Sequence, residues 1–351
     1  MTAPARPQNA RTGAAHHSRI VAAGYAYPKD VVDNAEYYDR ALFHVTDDRA
    51  GLEASSGMRQ RRWCTPEENT WTLTRASVEM LLEEAPALRQ EIDVVIAASG
   101  TTIPLVHPPH ADNPGMADLS PLVLQYLGRD DALGIDLKSA YCTGFLRGLQ
   151  MADALLANPN YRAALVVAAE QGSRLATAAS NRSAFSFLMG DAAGAVVLRR
   201  TPLSGDVDPD AEAGMIDHTG RTDAAHYDLA GIGPDGRSAT MKGSRAGELT
   251  VALMIEAGRE LLERNGLTGS DLDWFLPIQT HPQVLQPVLE ALDIPRGILL
   301  WEGDLNGFSG SASIPAHLAR VRSRGVLRPR QLVLSLAVGA GLNSAGTLYR
   351  S

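Results

Sequence analysis

The sequence predicts a layered α/β fold built from two related halves. Two observations predict it. Short apolar, β-branched runs alternate with segments of helical period along most of the chain. Three segments of the first half also return in the same order in the second, the mark of an internal duplication.

Structure is expected to begin near Ile20, in IVAAGYAYP, after a polar tail (residues 1–18) that lacks the apolar middle of a secretory signal and reads as disordered. Asp30–Ser56 is charged and partly helical. In Thr72–Ala87 the apolar positions Leu73, Ala76, Met80 and Leu81 recur at a helical period. DVVIAAS (Asp93–Ser99) is a buried strand, and the proline-rich stretch after it is a loop. LGIDLKSAYC (Leu133–Cys142) is a strand leading into a helix with Phe145, Leu149, Ala152, Leu155 and Leu156 on its apolar face. AALVVAAE (Ala163–Glu170) and GDAAGAVVLRR (Gly190–Arg200) are further strands, the second after a turn.

The second half repeats these pieces. DWFLPIQT (Asp273–Thr280) echoes DVVIAASG, QLVLSLAVG (Gln331–Gly339) echoes AALVVAAE, and GLNSAGTLYR (Gly341–Arg350) echoes GDAAGAVVLR. The boundary falls in Thr201–Gly214, giving halves of 19–205 and 206–351.

Composition narrows the function. The chain has 351 residues, 45% apolar and 21% charged, and a formal charge of −8. That composition excludes a disordered or collagen-like chain. Its acidic balance argues against nucleic acid or an anionic membrane as the main partner, and no apolar run is long enough to span a bilayer. With Cys64 and Cys142 the only cysteines, a reducing cytoplasm is the expected compartment.

Cys142 carries the most information. A thiol between a strand and a helix N-terminus meets unpaired backbone N–H groups and the positive end of the helix dipole. Both favour the reactive thiolate, although free cysteines are also common in cores.

Four stretches share a resemblance. SAYCTGFLRGLQMA (Ser139–Ala152), SSGMRQRRW (Ser55–Trp63), SFLMGDAAGAVVL (Ser186–Leu198) and the C-terminal stretch Val326–Arg350 are similar, respectively, to four family segments. These are the nucleophile segment, the Gly-Ile-Arg segment, the Gly-Asp-Gly-Ala-Gly-Ala turn and strand, and the last helix, strand and glycine turn. The family is that of the β-ketoacyl-acyl-carrier-protein synthases III, in the thiolase superfamily, and the resemblance covers residues 18–351. It implies the thiolase fold: duplicated halves in a five-layered α/β/α/β/α sandwich, in a homodimer. It also implies an acyltransferase in which Cys142 attacks a thioester and holds the acyl group. The backbone N–H groups of Cys142 and of Ala340, in the turn Gly339–Ala340–Gly341, would form the oxyanion hole. Alanine can serve there provided its φ is not positive. The thioester, on coenzyme A or an acyl carrier protein, would be a substrate, with no cofactor and no metal, and a small molecule would accept the acyl group.

The sequence departs from the family at the residues used for condensation. Family members place a His in Pro-His-Gln-x-Asn and an Asn in Gly-Asn-Thr-Ser, which stabilise the enolate formed on malonyl decarboxylation. Ungapped, those positions hold Ile278 (in LPIQTHPQ) and Phe308 (in GDLNGFSGSAS). His281, just before Pro282 at a helix start, and Asn306 are the nearby substitutes, with Asp304 a possible partner for His281. The predicted catalytic set is therefore Cys142, His281 and Asn306, with Ile278, Phe308, Gly339 and Gly341 lining the substrate site.

The adenine-gripping Trp and Arg of coenzyme A users correspond to Gly51 and Ser55, which favours a carrier-protein donor. Arg59, Arg61 and Arg62 would meet an acidic carrier protein, or else be a solvated or internally paired run. His107 and His110 make a poor zinc pattern, GDAAGA lacks the phosphate-loop Lys, and no serine-hydrolase elbow is present. Three outcomes stay open: acyl transfer to a hydroxyl or amine, condensation with a malonyl thioester, and a non-catalytic partner subunit.

Overall fold

A computed structural model describes residues 16–41, 44–101, 118–138, 141–175, 185–202, 214–232 and 239–351. The first half runs β1 (His16–Ala26), β2 (Asp30–Asp33), α1 (Asn34–Arg40), α2 (Arg49–Ser56), β3 (Gln60–Trp63), α3 (Thr70–Glu84), α4 (Leu88–Glu91) and β4 (Ile92–Ala98). It continues with α5 (Leu119–Leu127), β5 (Leu133–Leu137), α6 (Gly144–Leu156), β6 (Ala163–Gln171), α7 (Phe185–Leu188) and β7 (Asp191–Pro202). The second half holds β8 (Gly214–Thr222), β9 (Ala230–Ile232), β10 (Ala239–Met241), α8 (Gly243–Arg264) and β11 (Trp274–Phe275). After these come α9 (Pro282–Ala291), α10 (Gly303–Asn306), α11 (Ser313–Ser323), β12 (Leu332–Gly339) and β13 (Asn343–Arg350).

The duplication is visible in the strand order. The first sheet reads β1-β7-β6-β4-β5 and the second β8-β13-β12-β11. In the first, β5, β4 and β6 run parallel while β7 and β1 are antiparallel to their neighbours. In the second, β11 and β12 are parallel, and β13 and β8 antiparallel. Even β5 has a counterpart. Leu299 forms a parallel bridge with Phe275, and the Leu300 N–H donates to the Phe275 carbonyl at 2.8 Å.

The central strands are apolar throughout because both sheet faces are covered. Alternate side chains serve two cores. Val94, Ile96, Val166 and Val196 face the core between the sheets, while Val95, Leu165, Val167 and Val197 face the outer one. Helices α3 and α5 cover the first sheet outside, α6 and α11 lie on its inner face, α6 also touches β12 and β13, and α8 covers the second sheet. These are the five layers of the thiolase sandwich.

Several boundaries differ from the sequence reading. Strand β1 starts at His16, because residues 16–18 pair with β7, so the last residues of the expected tail are ordered. Regular strand pairing in DWFLPIQT is confined to Trp274–Phe275, although Leu276 and Ile278 still donate to carbonyls of β12. Helix α11 ends at Ser323, so Val326–Arg350 holds two strands and a turn without a helix. The boundary expected after residue 205, the rest of the tail and the His107/His110 loop lie outside the described residues.

Candidate active site

The C-terminal ends of the parallel strands surround a cavity of about 290 Å³. Cys142, Ile278, His281, Phe308, Gly339 and Ala340 line it, brought together from both halves. Asn306 and Gly341 are not among the lining residues.

Cys142 lies in the Tyr141–Thr143 turn that opens into α6. Tyr141 has φ +47°, a left-handed conformation that is costly for a non-glycine residue. Its ring lies against Gly100, where an added Cβ would come 2.9 Å from the ring. Thr143 makes no side-chain cap, which leaves first-turn N–H groups of α6 without that partner.

The thiol is 8% exposed, and its pKa is pushed up to about 12. Burial is the main cause and the charge of Glu170 the second, while hydrogen bonds from the backbone N–H groups of Cys142 and Ala340 pull the other way. Cys142 therefore rests protonated at neutral pH. This corrects the expected thiolate: loss of solvation outweighs the helix terminus. Both of these amides point at the sulfur. Ala340 is not among the residues with positive φ, and Gly341, at φ +92°, takes the turn that alanine would resist.

His281 is the N-cap of α9, ahead of Pro282 in the first turn. Its Nδ1 is buried without a hydrogen-bond partner among the described residues, and burial lowers its pKa. The imidazole is neutral near pH 7, with a nitrogen free to take a proton. Ile278 (2% exposed) and Phe308 (7% exposed) stand in the cavity wall, so the apolar substitutions lie at the site itself.

Asn306 is a correction. Its Oδ1 accepts from Arg320 Nη1 at 3.2 Å and its Nδ2 donates to the Glu302 carbonyl at 3.3 Å. It ties α10 to α11 and the preceding turn. Asp304 is not a partner of His281: its carboxylate accepts from Arg59 Nε at 2.8 Å. Gly341 acts through the turn's geometry.

The arginine cluster also divides. Arg59 is exposed, apart from its pairing with Asp304. Arg61 is fully buried and donates to the carbonyls of Val32, Asp33 and Phe187 and to Asn34 Oδ1. Its guanidinium lies 4.8 Å from the Tyr37 ring centre and 4.5 Å from that of Phe187. Arg61 is a fixture of the core and cannot greet a docking protein.

Sequence reasoning missed Glu170. It follows seven apolar residues of β6, one place before the strand's last residue, Gln171; it is 3% exposed and lines the cavity with Cys142. A lone acid closing a buried apolar run is the signal that could have found it.

Two family models match the chain. Residues 135–211 match 3-oxoacyl-[acyl-carrier-protein (ACP)] synthase III, and residues 262–351 match its C-terminal model. The chain is 31% identical to a β-ketoacyl-[acyl-carrier-protein] synthase III of Rhodospirillum rubrum, over 95% of this chain and 99% of that one. This chain belongs to the 3-oxoacyl-[acyl-carrier-protein] synthase III family. Its fold superposes on the 3-oxoacyl-[acyl-carrier-protein] synthase III of Aquifex aeolicus with a TM-score of 0.82, at 24% identity, covering 95% of this chain and all of that one. The priming β-ketosynthase of the R1128 polyketide biosynthetic pathway gives 0.80 at 28% identity, covering 95% and 96%. As a synthase III family member, the protein is an acyltransferase in a group of acyl-transferring condensing enzymes. Both cysteines are free thiols. Among the described residues no helix is long and apolar enough to cross a membrane, and no three His, Cys, Asp or Glu side chains gather as metal ligands.

Proposed function

We propose that this synthase III relative loads an acyl group onto Cys142 from a thioester, with an acyl carrier protein as donor, and passes it to a hydroxyl or amine acceptor. The observation that carries this reading is the makeup of the cavity. Cys142 and two amides are present for acyl loading, while Ile278 and Phe308 occupy the positions of the enolate donors.

In loading, the sulfur attacks the thioester carbonyl and the amides of Cys142 and Ala340 hold the oxyanion. The donor thiol leaves with the proton that Cys142 gives up. In transfer, His281 takes the proton of the acceptor hydroxyl or amine as that atom attacks the acyl-enzyme, and Cys142 ends as a thiol. No cofactor beyond the thioester is needed. Gly51 and Ser55, both on α2, bring neither an aromatic ring nor a guanidinium, and Ser55 borders the cavity; this supports a carrier-protein donor over coenzyme A.

Intact-mass measurement after incubation with acyl thioesters tests the reading. The expected result is a single acyl adduct on the wild type and none on Cys142→Ala. No adduct on the wild type with either donor type would leave the partner-subunit reading in place.

A further inference from the structure

The resting thiol poses a problem that loading must solve: Cys142 is protonated, and its proton needs an acceptor at the moment of attack. The family positions for His and Asn are apolar here. Glu170 lines the same cavity as Cys142, near enough for its charge to raise the thiol's pKa.

Its surroundings are unusual for a buried acid. Oε1 accepts from Ser311 Oγ at 2.6 Å and from the Gly100 N–H at 3.0 Å. Oε2 accepts from Thr101 Oγ1 at 2.7 Å and, at the limit of 3.5 Å, from Ser99 Oγ. Every one of these partners is neutral. The donors come from the end of β4 in the first half and from the turn before α11 in the second, so the carboxyl is locked at the joint between the halves. The titratable neighbours are the Cys142 thiol and the Tyr141 hydroxyl on the nucleophile turn, both pushed up mainly by burial and next by the charge of Glu170, with neutral His281 on the same cavity. Burial lifts the Glu170 pKa, and the Ser311, Gly100 and Thr101 hydrogen bonds oppose that lift without cancelling it. A buried carboxyl ringed by neutral donors, with its pKa above the usual range, is suited to exchange a proton with a neighbouring group.

We propose that Glu170 is the proton acceptor for acyl loading, so that the two proton transfers of the cycle fall to different halves of the molecule. As the Sγ–acyl bond forms, the thiol proton passes to Glu170. As the donor's C–S bond breaks, Glu170 returns that proton to the departing thiolate, and the carboxylate is regenerated. His281 then serves the acceptor step alone. This inference rests on Cys142 being the acylated residue.

The test is the pH dependence of single-turnover loading, read by intact mass, in the wild type, Glu170→Gln, Glu170→Asp and Ser311→Ala. Removing a general base lowers a rate by about 100-fold or more. Glu170→Gln is expected to load at least that much more slowly and to lose the acidic limb of the profile, while still forming its adduct at Cys142 on long incubation. Glu170→Asp should recover part of the rate. Ser311→Ala removes a hydrogen bond that favours the ionised form, so its acidic limb should move to higher pH. Should Glu170→Gln prove unstable, the direction of the Ser311→Ala shift decides. An unchanged limb in Ser311→Ala, or wild-type loading in Glu170→Gln, overturns the proposal. An adduct that persists in Cys142→Ala would instead overturn the assignment of the nucleophile.

Discussion

The two halves share a sheet order and divide the chemistry. In the first, β5 leads to the Tyr141–Cys142 turn and α6; in the second, the Leu299–Leu300 stretch leads to Ser309–Gly310–Ser311 and α11. One turn presents a thiol, the other two serines, one of which holds Glu170. The ends of β6 and β12 diverge in the same way, Glu170 on one and the Gly339–Ala340 amides on the other. A duplicated scaffold thus fixes where side chains can reach the cavity without fixing what they do. In the proposed reading the first half supplies what loading requires, and the second supplies one amide and His281, with Ile278 and Phe308 in the cavity wall in place of enolate donors.

Perturbing His281, the base proposed for the second half, should have the largest effect. His281→Ala is expected to slow transfer to an acceptor by about 100- to 10,000-fold, with adduct formation on Cys142 retained; rate measurements on each half-reaction separate the two. If loading falls as far as transfer, the division between halves is wrong. The imidazole carries a pH signature as well. Burial lowers its pKa, so the basic form persists further into acid than for an exposed histidine, and the acidic limb of transfer should lie below the ordinary histidine value. A limb above that value would mean that His281 is stabilised as a cation.

A smaller effect is expected from rebuilding the second half. Ile278→His with Phe308→Asn restores the family's donor types at the cavity wall. Carbon dioxide release from malonyl-carrier protein, absent in the wild type, should become measurable but stay short of the full worth of preorganised donors, because the surrounding shell is built for hydrocarbon. No rise would mean that the two positions do not face the reacting carbon.

The arginines give the smallest catalytic effect. Arg61→Ala leaves buried acceptors in β2, α1 and α7 without their donor, and should cost about 3 kcal/mol or more of stability, read by denaturant unfolding. Arg59→Ala breaks one exposed pair and should cost about 1 kcal/mol or less. Equal losses would contradict the burial difference between them.

Much of this was legible before the structure. Strands β4, β6, β7 and β12 are apolar because both their faces are covered, and such runs stand out in sequence. Cys142 and His281 were legible because each sits at a helix start with local signs: a strand before one, a proline after the other. Asn306 was misjudged because its partners, Arg320 and the Glu302 carbonyl, are set by how α10 packs on α11. The arginine run is divided by strand alternation. Arg61 and Arg62 are adjacent on β3, so they face opposite sides, and it is Arg61 that turns inward. The protonation state of Cys142 depends on its burial and on how near Glu170 folds to it, neither of which local sequence reports.

The most direct test is to load the wild-type enzyme on Cys142 and divide it between two acceptor pools. One contains malonyl-carrier protein, the other hydroxyl and amine compounds. The acyl-enzyme should persist with the malonyl thioester, releasing no carbon dioxide, and should discharge to an ester or amide in the second pool. Carbon dioxide released in step with loss of the acyl-enzyme would contradict the account.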